Sequence, residues 1–166
     1  MPGVSSRSTP APSRAGAIAC HLASSEDELE AHFELRRAVF VSEQELFAGD
    51  DHDEHDDDPA TLHAIGLVDG EPCGAVRLYP LDGSHAEWKG DRLAVLPELR
   101  TNHLGAALVR YAVATAGARG GRRMIAHIQL PNVRFFEHLG WRREGLPVPF
   151  HGTDHQLMSI RLGRGA

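Results

Sequence analysis

The densest group of potentially reactive side chains is the run DDHDEHDDD, which holds seven carboxylates and two histidines in nine positions, from Asp50 to Asp58. Such a run could bind a metal, form a solvated acidic loop, or border an active site. A calcium loop starting at Asp51 is excluded, because its sixth position is Asp56 instead of glycine and its twelfth is Leu62 instead of glutamate. Contiguous loop residues also seldom reach the geometry of a transition-metal site. We therefore expect no metal.

A second segment, RLAVLPELRTNHLGAAL at residues 92–108, has the pattern of a strand, a turn and the start of a helix. Gly105 and Ala106 are small, so a ligand could approach the backbone N–H groups that the first turn of a helix leaves without partners. These groups and the positive end of the helix dipole favour a phosphate. Arg100 adds a positive charge at the turn. The segment therefore predicts an anion site suited to a pyrophosphate.

Charge and composition narrow the class of protein. The chain has 166 residues and a net charge of -6, but outside the acidic run it carries 16 acidic and 17 basic residues, so we expect no nucleic-acid partner. No apolar run approaches the roughly 20 residues of a membrane-spanning helix, so no membrane partner is expected. Cys20 and Cys73 lack the spacing of a metal or disulfide framework, which favours a cytoplasmic location. Residues 1–16 predict a disordered tail, and residues 17–166 a single domain.

Hydrophobic periodicity and turn signals predict the elements that must position these groups. Capping boxes beginning at Ser25 and at Ser42 predict the starts of two helices. The dipeptide Asp69-Gly70 predicts a hairpin. Strands are expected at AIACHLA, LHAIGLV, CGAVRLYPL, DRLAVL, RRMIAHIQL and DHQLMSIRL, and further helices from Leu104 to Ala118 and at VRFFEHL. This order predicts an α/β layer sandwich around a mixed sheet.

The anion-site segment resembles the signature of the GNAT N-acetyltransferases, in which Arg or Gln is followed by two residues, Gly, one residue, and then Gly or Ala. Arg100 and Gly105 fill its first and last positions. The run LAV at Leu93–Val95 resembles the family's strand beside the pantetheine arm, and FFEHLGW at Phe135–Trp141 resembles its helix-to-strand element. The resemblance covers residues 17–162. The stretch VFVSEQELFAGDDHDEHD is most similar to the ElaA-like branch.

This resemblance implies a GNAT-like layer sandwich, with a mixed, mostly antiparallel central sheet flanked by helices. It also implies acetyl-CoA as co-substrate and a small, cationic amine as acceptor, and it is compatible with a homodimer. The implied coenzyme A site consists of Leu93, Ala94, Val95, Arg100, Thr101, Asn102, His103, Leu104, Gly105, Ala106, Gln129, Asn132 and Phe136. His103 replaces the family's first glycine. Phe136 stands where many members carry a tyrosine that protonates the leaving thiolate, and phenylalanine has no proton to give.

The reaction that the resemblance implies is direct attack of a neutral amine on the acetyl carbonyl, which a backbone N–H near Val95 would polarise. A general base then removes the proton of the amine. Glu43, Asp91 and His127 are the candidates, in that order. Each also has a structural alternative, since Glu43 could support a helix terminus, Asp91 could shape a turn, and His127 could be an ordinary strand histidine.

The first part of the acidic run is expected to lie at the acceptor site, because the segment after the first helices borders that site in the GNAT layout. An acidic rim that attracts a cationic amine is therefore expected at Asp50, Asp51 and Asp53. The remaining residues Asp56–Asp58 are expected to be solvated surface, since like charges packed this densely repel each other.

Two arginines on predicted strands are further candidates for substrate binding. An inward-pointing arginine needs a partner, so Arg77 and Arg92 could each contact the acidic run or bind an anionic group of the substrate.

Two other functions remain open from the sequence. An acyl-homoserine lactone synthase has the same fold and carries an arginine, a phenylalanine and several acids in the first region. A module that binds cations or partners is the other alternative, with the acidic run as its working part.

Overall fold

The computed structural model describes residues 16–44, 47–100, 103–150 and 152–163. Almost all of the predicted tail, and Thr101 and Asn102 of the predicted anion site, lie outside these ranges. The described chain forms a mixed sheet of eight strands in the order β1-β2-β3-β4-β5-β8-β6, with β7 paired to β8. The strands are β1 Ile18–Leu22, β2 Leu62–Val68, β3 Glu71–Pro80, β4 Glu87–Val95, β5 Arg123–Gln129, β6 Arg142–Arg143, β7 Val148–Phe150 and β8 Thr153–Arg161.

Three α-helices accompany the sheet: α1 Glu26–Arg36, α2 Leu104–Ala118 and α3 Val133–His138. The N-terminus of α1 is fixed as predicted, because the Ser25 hydroxyl accepts a hydrogen bond from the N–H of Glu28. The predicted second helix start at Ser42 is wrong: α1 continues into a π-helical segment, Arg37–Glu43, that contains this residue. The capping pattern at Ser42 is overridden because the preceding turn carries Val39 and Phe40, which are buried against Ala94.

The two faces of the sheet have different partners. On one face, an added Cβ at Gly74 would lie 2.7 Å from Leu108 of α2, so the absence of a side chain lets α2 pack closely on β3. Side chains alternate along a strand, so Arg77 points to the opposite face, where it meets the acidic run. The main hydrophobic core lies between the sheet and α2, around Leu104, Leu108 and Trp88.

The predicted fold class, an α/β sandwich with a mixed and mostly antiparallel sheet, is confirmed. Every pairing is antiparallel except that of β4 with β5. The last long strand, β8, lies inside the sheet between β5 and β6, and the short β6 and β7 were not expected. No helix in the described ranges is long and apolar enough to cross a membrane.

Candidate active site

A cleft opens where β4 and β5 separate. These two parallel strands pair only over Glu87–Lys89 and Arg123–Ile125. Beyond that point β4 continues to Val95 and β5 to Gln129 without pairing to each other. Backbone groups on the facing edges are therefore left available to a ligand, since a strand edge without a neighbour exposes N–H and C=O groups.

The separation coincides with a bulge in β4. The pairing of β3 with β4 steps from Ala75–Ala94 to Arg77–Asp91, so β4 contains one extra residue at this point. Arg92, inside the step, has φ +53°, in the left-handed region that side-chain-bearing residues seldom adopt. Bulges bend and twist the strand that contains them. The bulge thus turns the end of β4 away from β5 and opens the cleft.

The cleft is lined from both faces of the sheet. On the face that packs against α2, its lining includes Val76, Val109, Ala112, Ala126, Phe136 and Trp141. On the opposite face, its lining includes Phe40, Phe47, Lys89, Asp91, His127 and Phe150. The first half is apolar, whereas the second combines aromatic rings with titratable groups. We call these the helix half and the polar half of the cleft.

The N-terminus of α2 has the features of the predicted anion site. Its N-cap residue, His103, makes no side-chain capping bond and has φ +70°, a conformation that suits the glycine usual at this position. In the described part of the chain, the N–H groups of Gly105 and Ala106 have no hydrogen-bond partner. A Cβ added to Gly105 would meet only ordinary contacts, 3.7 Å from Phe135 and 3.8 Å from Val95. The fold therefore does not itself require this glycine, and the turn can receive a phosphate close to its backbone.

Arg100 and Glu43, predicted in separate roles, form one ion pair. The guanidinium of Arg100 donates from Nη1 and Nη2 to the two carboxylate oxygens of Glu43, at 2.6 Å each, and from Nε to the carbonyl of Val95 at 3.2 Å. These bonds lower the pKa of Glu43, which weakens it as a proton acceptor. The first choice of general base is therefore disfavoured, and the charge of Arg100 is already balanced.

Asp51, Asp53 and Asp56 of the acidic run point inward to arginines. Asp56 is fully buried at its side chain and accepts from Nη1 and Nη2 of Arg36 at 2.6 and 3.0 Å, while Arg77 lies 3.1 Å from it. Burial raises its pKa, but the hydrogen bonds with His63 and Arg36 and the charge of Arg36 outweigh that effect, so the pKa of Asp56 is lowered. The prediction that Asp56 is solvated surface is wrong.

The other inward carboxylates complete this network. Asp53 accepts two bonds from Arg77, at 2.6 and 3.1 Å, and one from Arg92 at 3.3 Å. Asp51, with a side chain only 1% exposed, accepts from Nε of Arg36 at 2.7 Å and lies 3.2 Å from Nε of Arg92. An acidic rim at Asp51 and Asp53 does not fit these partners, and neither does an anionic substrate group on Arg77 or Arg92. We call these six residues, with Asp91, the buried ion network.

The outward carboxylates of the run are Asp50, Glu54, Asp57 and Asp58. Asp50 is exposed and accepts a bond from the N–H of His52 at 3.3 Å. None of the four lines the cleft. In the described residues, no group of three or more His, Cys, Asp or Glu side chains is arranged to hold a metal ion. The run is therefore divided between three carboxylates that pair with arginines inside the protein and four that are exposed on its surface.

The two remaining candidates for the general base both line the cleft. Asp91 accepts bonds from Nε and Nη2 of Arg77, 2.7 Å each, so both of its oxygens are engaged. His127 stacks on Phe150 with ring centroids 4.2 Å apart. A third candidate, His155, also lines the cleft and was not predicted. Its Nδ1 donates to the carbonyl of Thr153 at 2.9 Å, which leaves Nε2 as the proton acceptor of a neutral ring.

Some of the predicted cofactor residues line the cleft, and others are buried next to it. Four of them line the cleft: Leu93, Gln129, Asn132 and Phe136. Four others are buried beside it or in the first turn of α2: Ala94, Val95, Leu104 and Ala106. Asn132 precedes α3 but makes no side-chain capping bond, so its side chain is not used as a helix cap. Phe136 packs edge-on against Trp141, with ring centroids 5.4 Å apart, and leaves no hydroxyl at its position.

Several lining residues had no clear signal in the sequence. Lys89 precedes the predicted strand DRLAVL, whereas β4 begins earlier, at Glu87. Phe150 belongs to the unexpected strand β7. His155 lay within a predicted strand, DHQLMSIRL, and its position directly opposite Gln129 depends on the pairing of β8 with β5. Only that pairing could have identified it.

Comparisons with known proteins identify the family and the fold. The model of the Acetyltransferase (GNAT) family matches residues 26–141. The Bacillus subtilis (strain 168) protein named Uncharacterized N-acetyltransferase YjcF is 30% identical over 122 residues, covering 73% of this chain and 83% of that protein. The crystal structure of Escherichia coli ElaA has a TM-score of 0.76 at 22% identity, covering 86% of this chain and 99% of ElaA.

A CoA-dependent acyl-homoserine lactone synthase, BjaI, solved with SAM and isopentyl-CoA, has a TM-score of 0.73 at 22% identity. The match covers 89% of this chain and 85% of BjaI. At such identities the two solved structures establish the fold, including its similarity to ElaA, while the family model and the 30% identical relative identify the family. The chain belongs to the acetyltransferase (GNAT) family.

Proposed function

We propose that the protein transfers the acetyl group of acetyl-CoA to the primary amine of a small molecule. The observation that carries this proposal is the cleft between β4 and β5, which has an apolar half beside α2 and a polar half on the other face of the sheet. Thioester and amine can then meet in the plane of the sheet. Family membership makes the chain an acetyltransferase.

The binding of coenzyme A is supported by the N-terminus of α2. The N–H groups of Gly105 and Ala106 would hold the pyrophosphate, because they have no partner among the described residues and carry the positive end of the helix dipole. The acyl arm would run along the open edge of β4, where a backbone N–H near Val95 would polarise the acetyl carbonyl. Bound acetyl-CoA supplies the reactive thioester.

The chemistry assigned to the protein is positioning and proton transfer. The amine nitrogen attacks the carbonyl carbon, the C–S bond breaks, and the amine loses a proton to a general base. We assign this role to Nε2 of His155, because its other ring nitrogen is held by the carbonyl of Thr153. His127 is the second candidate, ahead of Glu43 and Asp91, whose carboxylates are bonded to arginines. The thiolate receives its proton from a group other than Phe136.

The acceptor was also predicted to be cationic. The three inward carboxylates that could reach toward an amine are paired with arginines, so they lend no support to that part of the prediction. The homodimer and the cytoplasmic location stay predictions from the sequence.

The test is incubation with acetyl-CoA and a panel of small amines, followed by the release of free thiol. Calorimetry measures the binding of coenzyme A separately. Gly105→Glu should weaken coenzyme A at least tenfold by placing a carboxylate against the pyrophosphate, whereas Gly105→Ala should bind it normally. His155→Gln should lower kcat with little change in coenzyme A binding. A protein that binds no coenzyme A would refute the proposal, and thiol release only with S-adenosylmethionine as acceptor would favour the lactone synthase alternative.

A further inference from the structure

The polar half of the cleft contains one lysine, Lys89, at the end of the short parallel pairing between β4 and β5. It projects from β4 on the same face as Asp91, since the two residues are separated by one position. Its ammonium lies 5.3 Å from the centre of the Phe150 ring, and Phe150 in turn stacks on His127. Lys89 is therefore held at the wall of the cleft, which His127 and His155 also line.

The charge of Lys89 is not neutralised by a close carboxylate. No Asp or Glu oxygen of the described ranges lies within 4.0 Å of its ammonium, although the side chain is half-buried. Asp91, whose charge acts on it most favourably, has both oxygens bonded to Arg77. Burial lowers the pKa of Lys89, which is the expected effect of removing an ammonium from water without a paired anion.

The arginines around the cleft differ from Lys89 in this respect. Arg36, Arg77 and Arg92 each contact at least one carboxylate within 3.3 Å. The protein's own acids therefore pair with these three arginines and leave Lys89, whose ammonium faces the Phe150 ring and is repelled by the charges of Arg77 and Arg92. A half-buried cation of this kind gains most from an anion that a ligand brings.

We propose that the acceptor carries a carboxylate as well as the amine, and that the ammonium of Lys89 binds that carboxylate. This inference rests on the proposed acetyltransferase function and names its substrate class: a small amino acid or a related amino carboxylate. The salt bridge to Lys89 orients the acceptor so that its amine points along the cleft toward the edge of β4. The rings of Phe47 and Phe150 contact the apolar body of the same molecule.

The test compares three matched acceptors: leucine, leucinamide and isopentylamine. They share a side chain but differ in the anionic group, and rates are referred to the concentration of neutral amine so that differences in amine pKa cancel. The wild-type protein should show a kcat/KM for leucine at least tenfold above that for the other two. This comparison needs no variant, so it does not depend on whether a substitution folds.

Variants then assign the preference to the lysine. Lys89→Met keeps the length of the side chain and should bring the ratio of leucine to leucinamide down to about one, while Lys89→Arg should retain part of it. The dissociation constant of coenzyme A should be unchanged in both. Equal wild-type rates for the three acceptors, or an undiminished preference in Lys89→Met, would overturn the inference. If coenzyme A binds and acetyl-CoA releases its thiol only with isopentylamine as acceptor, the inference is overturned while the acetyltransferase function is left intact.

Discussion

Replacing Arg77 by methionine should strongly destabilise the protein, because this residue is the centre of the buried ion network. Its side chain is 1% exposed, donates two bonds each to Asp53 and Asp91, and lies 3.1 Å from Asp56. The substitution leaves three carboxylates without their common partner, one of them fully buried and the other two mostly buried. Removing one member of a buried ion pair costs about 3–5 kcal/mol.

This loss of free energy corresponds to a shift in the melting temperature. For a domain of this size, 1 kcal/mol corresponds to a shift of about 2–4 °C, so Arg77→Met should lower Tm by roughly 6–20 °C. Differential scanning calorimetry measures the shift. The matched control is Arg143→Met, which removes an exposed 3.1 Å ion pair with Glu137 and should cost at most about 1 kcal/mol.

A second variant separates the loss of charge balance from the loss of packing. Combining Arg77→Met with Asp91→Asn removes one of the unpaired charges and should recover part of the lost stability. The reasoning is refuted if Arg77→Met and Arg143→Met lower Tm by similar amounts. It is also refuted if Asp91→Asn makes Arg77→Met less stable instead of more stable.

Two further predictions concern packing and pH. Gly74→Ala should lower the free energy of unfolding by about 1–3 kcal/mol, because the new Cβ would lie 2.7 Å from Leu108 and 3.1 Å from the carbonyl of Ala94. It would push α2 outward and should therefore also raise the KM for acetyl-CoA. Gly83→Ala, which has open space around it, is the control for denaturation and kinetics. His32 is buried, and burial lowers its pKa to about 3, so the unfolded chain binds more protons between pH 3 and about 6.5. Stability should therefore fall as pH drops through this window, by up to about 1.4 kcal/mol per pH unit from this group. His32→Gln, which keeps a donor for the carbonyl of Ala64, should flatten that slope in urea titrations at several pH values, and an unchanged slope would contradict the assignment.

The order of long elements was predictable because each carries a local signal. The helix from Leu104 to Ala118 was predicted with its observed bounds, since its apolar positions repeat every three or four residues. The strand Leu62–Val68 was predicted equally well, because Asp69-Gly70 marks its end. In contrast, β6 has two residues and β7 three, too short for a period to be visible.

The roles of the charged residues were harder to predict, because they depend on contacts between distant segments. The sequence showed that an inward arginine at 77 or 92 would need a partner, and the partners are indeed in the acidic run. It could not show which carboxylates turn inward. That choice follows from a short 3-10 turn, Glu54–Asp57, in which the Asp53 side chain accepts from the N–H of His55 and Asp56 accepts from the N–H of Asp53. The left-handed backbone at Arg92 likewise has no local signal.

The cleft between β4 and β5 passes through the sheet, and this has a consequence for the order of events in catalysis. In the proposed function, a co-substrate on the helix half and an acceptor on the polar half would approach from opposite faces of the sheet and would not block each other. Both can be bound at once, and no side chain has to carry the acetyl group between them. The initial-rate plots at several fixed acceptor concentrations should therefore intersect, as in a ternary-complex mechanism, instead of running parallel as in a mechanism with an acetylated enzyme.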